Sequence, residues 1–165
     1  MRVIHFVLLS VACAATTTFS EAVERLPRTR PDVPLSAQDT IVALSIREAL
    51  LHGMPDFRPR PQVVLEYVRD VVSSHALPQI DSVSFFLLDP VQIGRLADRA
   101  GTFTYLRPFA PRIHGDTAMV GIASALGFKR SRYARGLMAG GACSWRAVRR
   151  SGAWVVDTVL GCIIS

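Results

Sequence analysis

The chain has 165 residues, of which 50% are hydrophobic and 19% charged, with a formal net charge of +6. That length suits one domain with a proper core, and the balance excludes a disordered or low-complexity chain. Charge is laid out unevenly. Residues 15–101 carry nine arginines against eleven acidic groups, whereas residues 102–165 carry nine basic groups against Asp116 and Asp157 alone. A basic second half suits an anionic partner. Lys129 is the sole lysine beside eighteen arginines, a ratio that codon usage alone also produces.

The N-terminus opens with Arg2 and an apolar run over residues 3–11, followed by Ala12-Cys13-Ala14. This matches the n-region, h-region and A-x-A cleavage site of a secretory signal peptide. The run falls well short of the roughly 20 residues that cross a bilayer, and no later stretch is long and apolar enough. Residues 1–14 are therefore expected to be a signal peptide and the mature protein to be exported, periplasmic or secreted. Lipid attachment at Cys13 is a lesser alternative, because Ser10 stands where that signal prefers a leucine-like residue. Residues 15–35, punctuated by Pro27, Pro31 and Pro34, form a linker ahead of a single domain over 36–165.

The domain starts with Ser36 as N-cap and Asp39 in the capping-box position, followed by Ile41, Leu44, Ile46, Leu50 and Leu51, a helix that stops at His52-Gly53. After Pro61 the residues Val63, Val64, Tyr67, Val68, Val71 and Val72 recur at one and four, which predicts a second helix. From Ile80 the pattern alternates and then becomes wholly apolar through Leu88, as a strand does on entering a core. Asp89-Pro90 reads as N-cap and first residue of a short helix over 91–100, which Gly101 ends. Strands follow over 103–107 and 117–123, and the stretch 126–136 reads as an exposed loop. Gly140 to Ser165 then forms a long hairpin.

The last element predicts a covalent bond. Export places Cys143 and Cys162 in an oxidising compartment, where disulfides persist. A type II′ turn at Gly152-Ala153 sets Trp145 against Leu160 and Cys143 against Cys162, whereas a two-residue turn at Ser151-Gly152 leaves the cysteines diagonal. The first register is favoured, with both sulfurs and both indoles on the core side. The expected class is α+β, with N-terminal helices packed on one face of a curved, mostly antiparallel sheet ending in a long C-terminal β-hairpin.

Two short stretches resemble a known family. Gly115-Asp116-Thr117-Ala118-Met119-Val120 is similar to a strand start, and Arg149-Arg150-Ser151-Gly152-Ala153-Trp154-Val155-Val156 to the closing hairpin, of the cone-shaped superfamily of nuclear transport factor two, with its ketosteroid-isomerase-like and polyketide-cyclase-like members. The likeness covers residues 115–160. It implies a concave pocket for a small apolar ligand, in which an acid, base or hydrogen-bond donor acts. The matching residue types are Asp89, Tyr105, His114 and Asp116. Each also has a plain structural reading: Asp89 as N-cap, Tyr105 in strand alternation, His114 and Asp116 in a turn.

No metal site is expected, since His5, His52, His75 and His114 are scattered without ligand spacing. No nucleotide loop or nucleophile elbow is present, and no cofactor is expected. The stretch Lys129, Arg130, Arg132, Arg135, with Tyr133 interleaved, is the candidate anion-binding tip. Export argues against nucleic acid as its partner. Candidate partners are a small apolar ligand, an anionic envelope surface or a second copy of the chain. The reading is an exported, non-enzymatic binding or interaction module with a concave sheet surface. The alternatives are a cone-type isomerase, dehydratase or hydrolase, and an envelope protein that grips anionic surfaces.

Overall fold

The computed structural model describes residues 36–54, 57–58, 60–73, 77–128 and 140–164. The expected signal peptide over residues 1–14, the expected linker over 15–35 and the expected basic tip from Lys129 to Arg135 lie outside the described residues. The observed class is α+β: helix α1 (Ala37–Leu51), strands β1 (Gln62–Glu66) and β2 (Ser84–Leu88), helix α2 (Pro90–Ala100), then β3 (Phe103–Pro108), β4 (Arg112–His114), β5 (Thr117–Gly127), β6 (Gly141–Arg150) and β7 (Ala153–Ile164). The strands form one sheet in the order β2-β1-β3-β5-β6-β7, with β4 paired to β5. β1 runs parallel to both β2 and β3, and every other pairing is antiparallel.

Both helices begin as the sequence predicts. Ser36 Oγ accepts from the Asp39 amide at 3.1 Å while the Asp39 carboxylate accepts from the Ser36 amide. Asp89 and Gln92 make the same reciprocal pair at 2.8 and 2.9 Å, with Pro90 in the first turn. These boxes satisfy amides that have no partner within the helix.

The helix expected over 61–72 is not formed; that stretch supplies β1 and then a turn. The spacing of its apolar residues fitted both forms, and burial on two faces decides between them. Val63 and Leu65 point into the core beneath α1, whereas Val64 joins the cluster beneath α2. A helix would present only one stripe, and the adjacent β-branched valines favour the strand. After Glu66 the chain turns at Arg69–Val71, with the amides of Val71 and Val72 both donating to the Val68 carbonyl at 3.1 Å. Val71 and Val72 thereby reach the α1 core.

Alternation along the strands also locates the helices. α1 covers the face lined by Val63, Leu65, Leu106, Val120, Ile122 and Trp145. α2 connects β2 to β3, two strands that share one direction, and packs on the reverse face against Val64, Phe86, Leu88 and Phe103. Parallel strands require such a crossover, and here a helix supplies it. The expected cover of one face is thus α1, and α2 lies across the sheet from it.

The hairpin β6–β7 carries Trp145, Trp154 and Cys143 in the α1 core, and Cys143 is bonded to Cys162. The register comes about differently from the expected type II′ turn. Ser151 (φ 49°) and Gly152 (φ 84°) form the two-residue turn, both in the left-handed region, so that Arg150 faces Ala153. The register then shifts between Arg146 and Ala147 and again between Ser144 and Trp145, adding Asp157 and Leu160 to β7 as extra residues. Two bulges restore the opposition of Cys143 and Cys162, with Cα atoms 4.1 Å apart, and set Trp145 against Val159 instead of Leu160. The bulged Asp157 accepts from both Arg146 and Arg150. Hydrogen bonding from Arg146 is the main cause that holds its carboxyl below the usual aspartate value of 3.8. The stability it contributes is complete above that value and is lost as pH falls through the lower folded one.

The bridge closes a separation of 19 residues. On the chain-entropy account it stabilises by roughly 3 kcal/mol. The double variant Cys143→Ser/Cys162→Ser should therefore lose about that much unfolding free energy, read as a lower guanidinium midpoint, with the wild type matching it once reduced. An unchanged midpoint would show that the two sulfurs are not joined in solution.

Candidate functional site

β3 and β1 bring together the one buried acidic side chain among the described residues and one of the expected candidates. Glu66 is 6% exposed at the end of β1. Its parity places it with Val64 on the α2 face, opposite Leu88 in the register. Tyr105 projects onto the same face beside Phe103, with ring centroids 6.3 Å apart. Arg107, two residues further along β3, lies with Nε 3.6 Å from Glu66 Oε2 and keeps 40% of its side chain exposed. Burial is the largest cause that raises the Tyr105 pKa above 10.0, followed by the charge of Glu66 and opposed by Arg107. A carboxylate so far inside would be costly alone, and Arg107 and Tyr105 are what make it tolerable. Among the described residues no buried side-chain nitrogen or oxygen lacks a partner.

The other candidates do not join this cluster. Asp89 is occupied as the N-cap of α2. His114 and Asp116 are exposed in the β4–β5 hairpin, where Gly115 (φ 58°) makes the turn and the Asp116 carbonyl accepts from the Arg149 amide at 2.8 Å. Their structural reading is therefore the one observed. The anion-binding candidates Lys129, Arg130, Arg132 and Arg135 fall outside the described residues. Of the described hairpin arginines, Arg146 and Arg150 are paired with Asp157, and Arg149 Nε donates to the Gly152 carbonyl at 3.3 Å.

A second arrangement has the shape of a site. At the end of the sheet where β1 and β3 begin, a cleft of about 460 Å³ is walled by Met54, Phe57, Val63 and Phe103, with Gln62 and Thr104 on the strand ends. Arg58 and Arg60 line its rim. Its inner wall is built by a tight reversal after α1: Met54 and Phe57 form an isolated antiparallel bridge, the Phe57 amide donating to the Met54 carbonyl at 3.2 Å. That reversal buries both side chains in the α1 core and delivers the arginines to the cleft mouth. The volume falls in the range of small-molecule pockets.

Sequence reasoning missed Glu66, Arg107, Arg58 and Arg60. Two signals bear on them. A carboxylate closing the otherwise apolar run Val63-Val64-Leu65 marks a charge carried inside by a buried strand. Phe57-Arg58-Pro59-Arg60-Pro61 alternates arginine with proline immediately after an apolar anchor. Among the described residues, no three His, Cys, Asp or Glu side chains gather as metal ligands, and no helix is long and apolar enough to cross a membrane.

Comparison with protein-family models, with curated proteins and with solved structures finds no match.

The Glu66–Tyr105 contact yields a measurable shift. Replacing Glu66 by Gln removes the second-largest cause of the raised tyrosine pKa and leaves the largest, burial, in place. The Tyr105 titration, read at 295 nm as the difference from Tyr105→Phe, should move down in Glu66→Gln yet stay above the ordinary value. Because the folded value is raised, the stability linked to Tyr105 is intact below about pH 10 and is lost as pH climbs through the folded value. An unmoved titration would remove Glu66 from the tyrosine's surroundings.

Proposed function

We propose that this chain is an exported, disulfide-braced binding module that holds a small, largely apolar ligand in the cleft at the β1–β3 end of its sheet and performs no chemistry on it. The observation that carries this reading is the cleft itself: four buried apolar side chains wall a space of about 460 Å³, and among the described residues no carboxylate, histidine or thiol lines it. A catalytic pocket needs a titratable group set in apolar walls with access to solvent. Asp89, His114 and Asp116 are engaged or exposed elsewhere. Export agrees with the disulfide, which an oxidising compartment preserves, and with the leader pattern of residues 1–14.

One observation favours a second reading, the cone-type enzyme implied by the family likeness. Its acid–base pair would be Glu66 and Tyr105, the buried pair on the α2 face, in place of Asp89 or Asp116. The ion pair between Glu66 and Arg107 favours a structural role for this carboxylate, so the binding reading stands first.

The test uses a neutral apolar fluorophore, N-phenyl-1-naphthylamine, titrated with the mature protein. Saturable binding at one site per chain is expected. Thr104→Phe, which places a ring in the mouth of the cleft at a strand position that suits aromatics, should weaken that binding by about tenfold or more, corresponding to ~1.4 kcal/mol, at unchanged thermal stability. Non-saturable binding, or equal affinity in the folded variant, would refute the reading.

A further inference from the structure

We infer that the ligand of this cleft is a single-chain amphiphile with an oxyanion head, its apolar body against Met54, Phe57, Val63 and Phe103 and its head held by Arg58 and Arg60. The inference rests on the binding reading above and adds the chemistry of the ligand to it.

Three observations carry it. The cleft divides by character, with buried apolar side chains on the inside and two exposed guanidinium groups at the rim. Among the described residues no acidic side chain lines it, and neither Arg58 nor Arg60 makes an ion pair. That distinguishes them from Arg107, Arg146 and Arg150, whose charges are met by Glu66 and Asp157. Two like charges kept at one mouth repel each other, and an anion bound between them relieves that repulsion. The arginine side chain also suits the junction between apolar and wet surroundings. Its stem lies along apolar surface while its planar fork presents paired donors that match a carboxylate or phosphate.

The dimensions agree. A ten-carbon chain with its head has about a dozen heavy atoms, which a cleft of about 460 Å³ accommodates. A wholly polar anion would leave Met54, Phe57, Val63 and Phe103 facing a desolvated charge. A wholly apolar ligand would leave the guanidiniums without a partner. Only a molecule with both parts satisfies both walls.

The experiment displaces N-phenyl-1-naphthylamine from the full mature protein with decanol, decanoate and decyl phosphate, all below their micellar concentrations. Wild type is expected to take at least one of the two anions about tenfold or more tightly than decanol, and the stronger anion identifies the head as carboxylate or phosphate. The preference should shrink as sodium chloride rises, since the rim is exposed. In Arg58→Gln/Arg60→Gln the preference should vanish while decanol still binds as in wild type, which shows that the cleft is intact. Equal binding of alcohol and anions by wild type would overturn the inference and leave the binding reading standing, as would an anion preference unchanged in the double variant. Failure of the fluorophore and all three decyl compounds to bind would overturn both.

Discussion

The five residues of β1 hold the two layers of this protein together. Val63 and Leu65 pack under α1, Val64 packs under α2, and the strand's backbone is paired on both edges, to β2 and to β3. A strand buried on both faces must be almost wholly apolar. Its two polar residues stand at its ends, Gln62 at the cleft and Glu66 where Arg107 and Tyr105 reach it. Because β1 runs parallel to its neighbours, two crossovers are needed, and they determine much of the rest. The first, between β1 and β2, carries Val71 and Val72 into the α1 core; the second is α2. The cleft follows from the same constraint, since the parallel β1 and β3 start side by side and leave their common end open to the reversal after α1.

The C-terminal hairpin obeys a different constraint. Its turn fixes one register and its disulfide another, and the two are reconciled by the extra residues Asp157 and Leu160 on β7. The first of these is put to use as the acceptor for Arg146 and Arg150, which neutralises part of the positive charge concentrated in the second half of the chain. Bulges also suit an edge strand, because an irregular edge is a poor template for further pairing. The basic character of the hairpin is consequently less available to a partner than the bare composition implies. Among the described residues, Arg58 and Arg60, in the acidic half, line a cavity and make no ion pair.

Much of the fold was legible because its signals were local. Ser36 with Asp39 and Asp89 with Pro90 mark helix starts whatever the tertiary context, and Gly101 marks a stop. The alternation around Trp145 and Cys143 correctly placed these two in the core under α1 with Trp154 partly buried beside them, whereas Cys162, though bonded to Cys143, lies on the exposed end of β7. The segment 61–72 was misread because periodicity cannot separate a strand buried on both faces from an amphipathic helix when a turn brings later valines to the same core. The hairpin turn was misassigned because a two-residue turn with the cysteines opposed demands bulges, which a register counted from the turn alone does not include. Tyr105 was found by residue type, but its partner Glu66 lay in the misread segment. The cleft arginines were invisible to any reading along the chain, since their significance lies in the apolar side chains of two other elements beside them.

The direct test of this architecture is the conformation of residues 62–66 in solution. Backbone chemical shifts of the isotopically labelled protein should be those of extended chain from Gln62 to Glu66, with inter-strand nuclear Overhauser effects linking β1 to Phe85–Leu87 on one side and to Leu106 on the other. Helical shifts across Val63–Val72 with those cross-strand contacts missing would contradict the account and take with it both the buried Glu66 pair and the cleft.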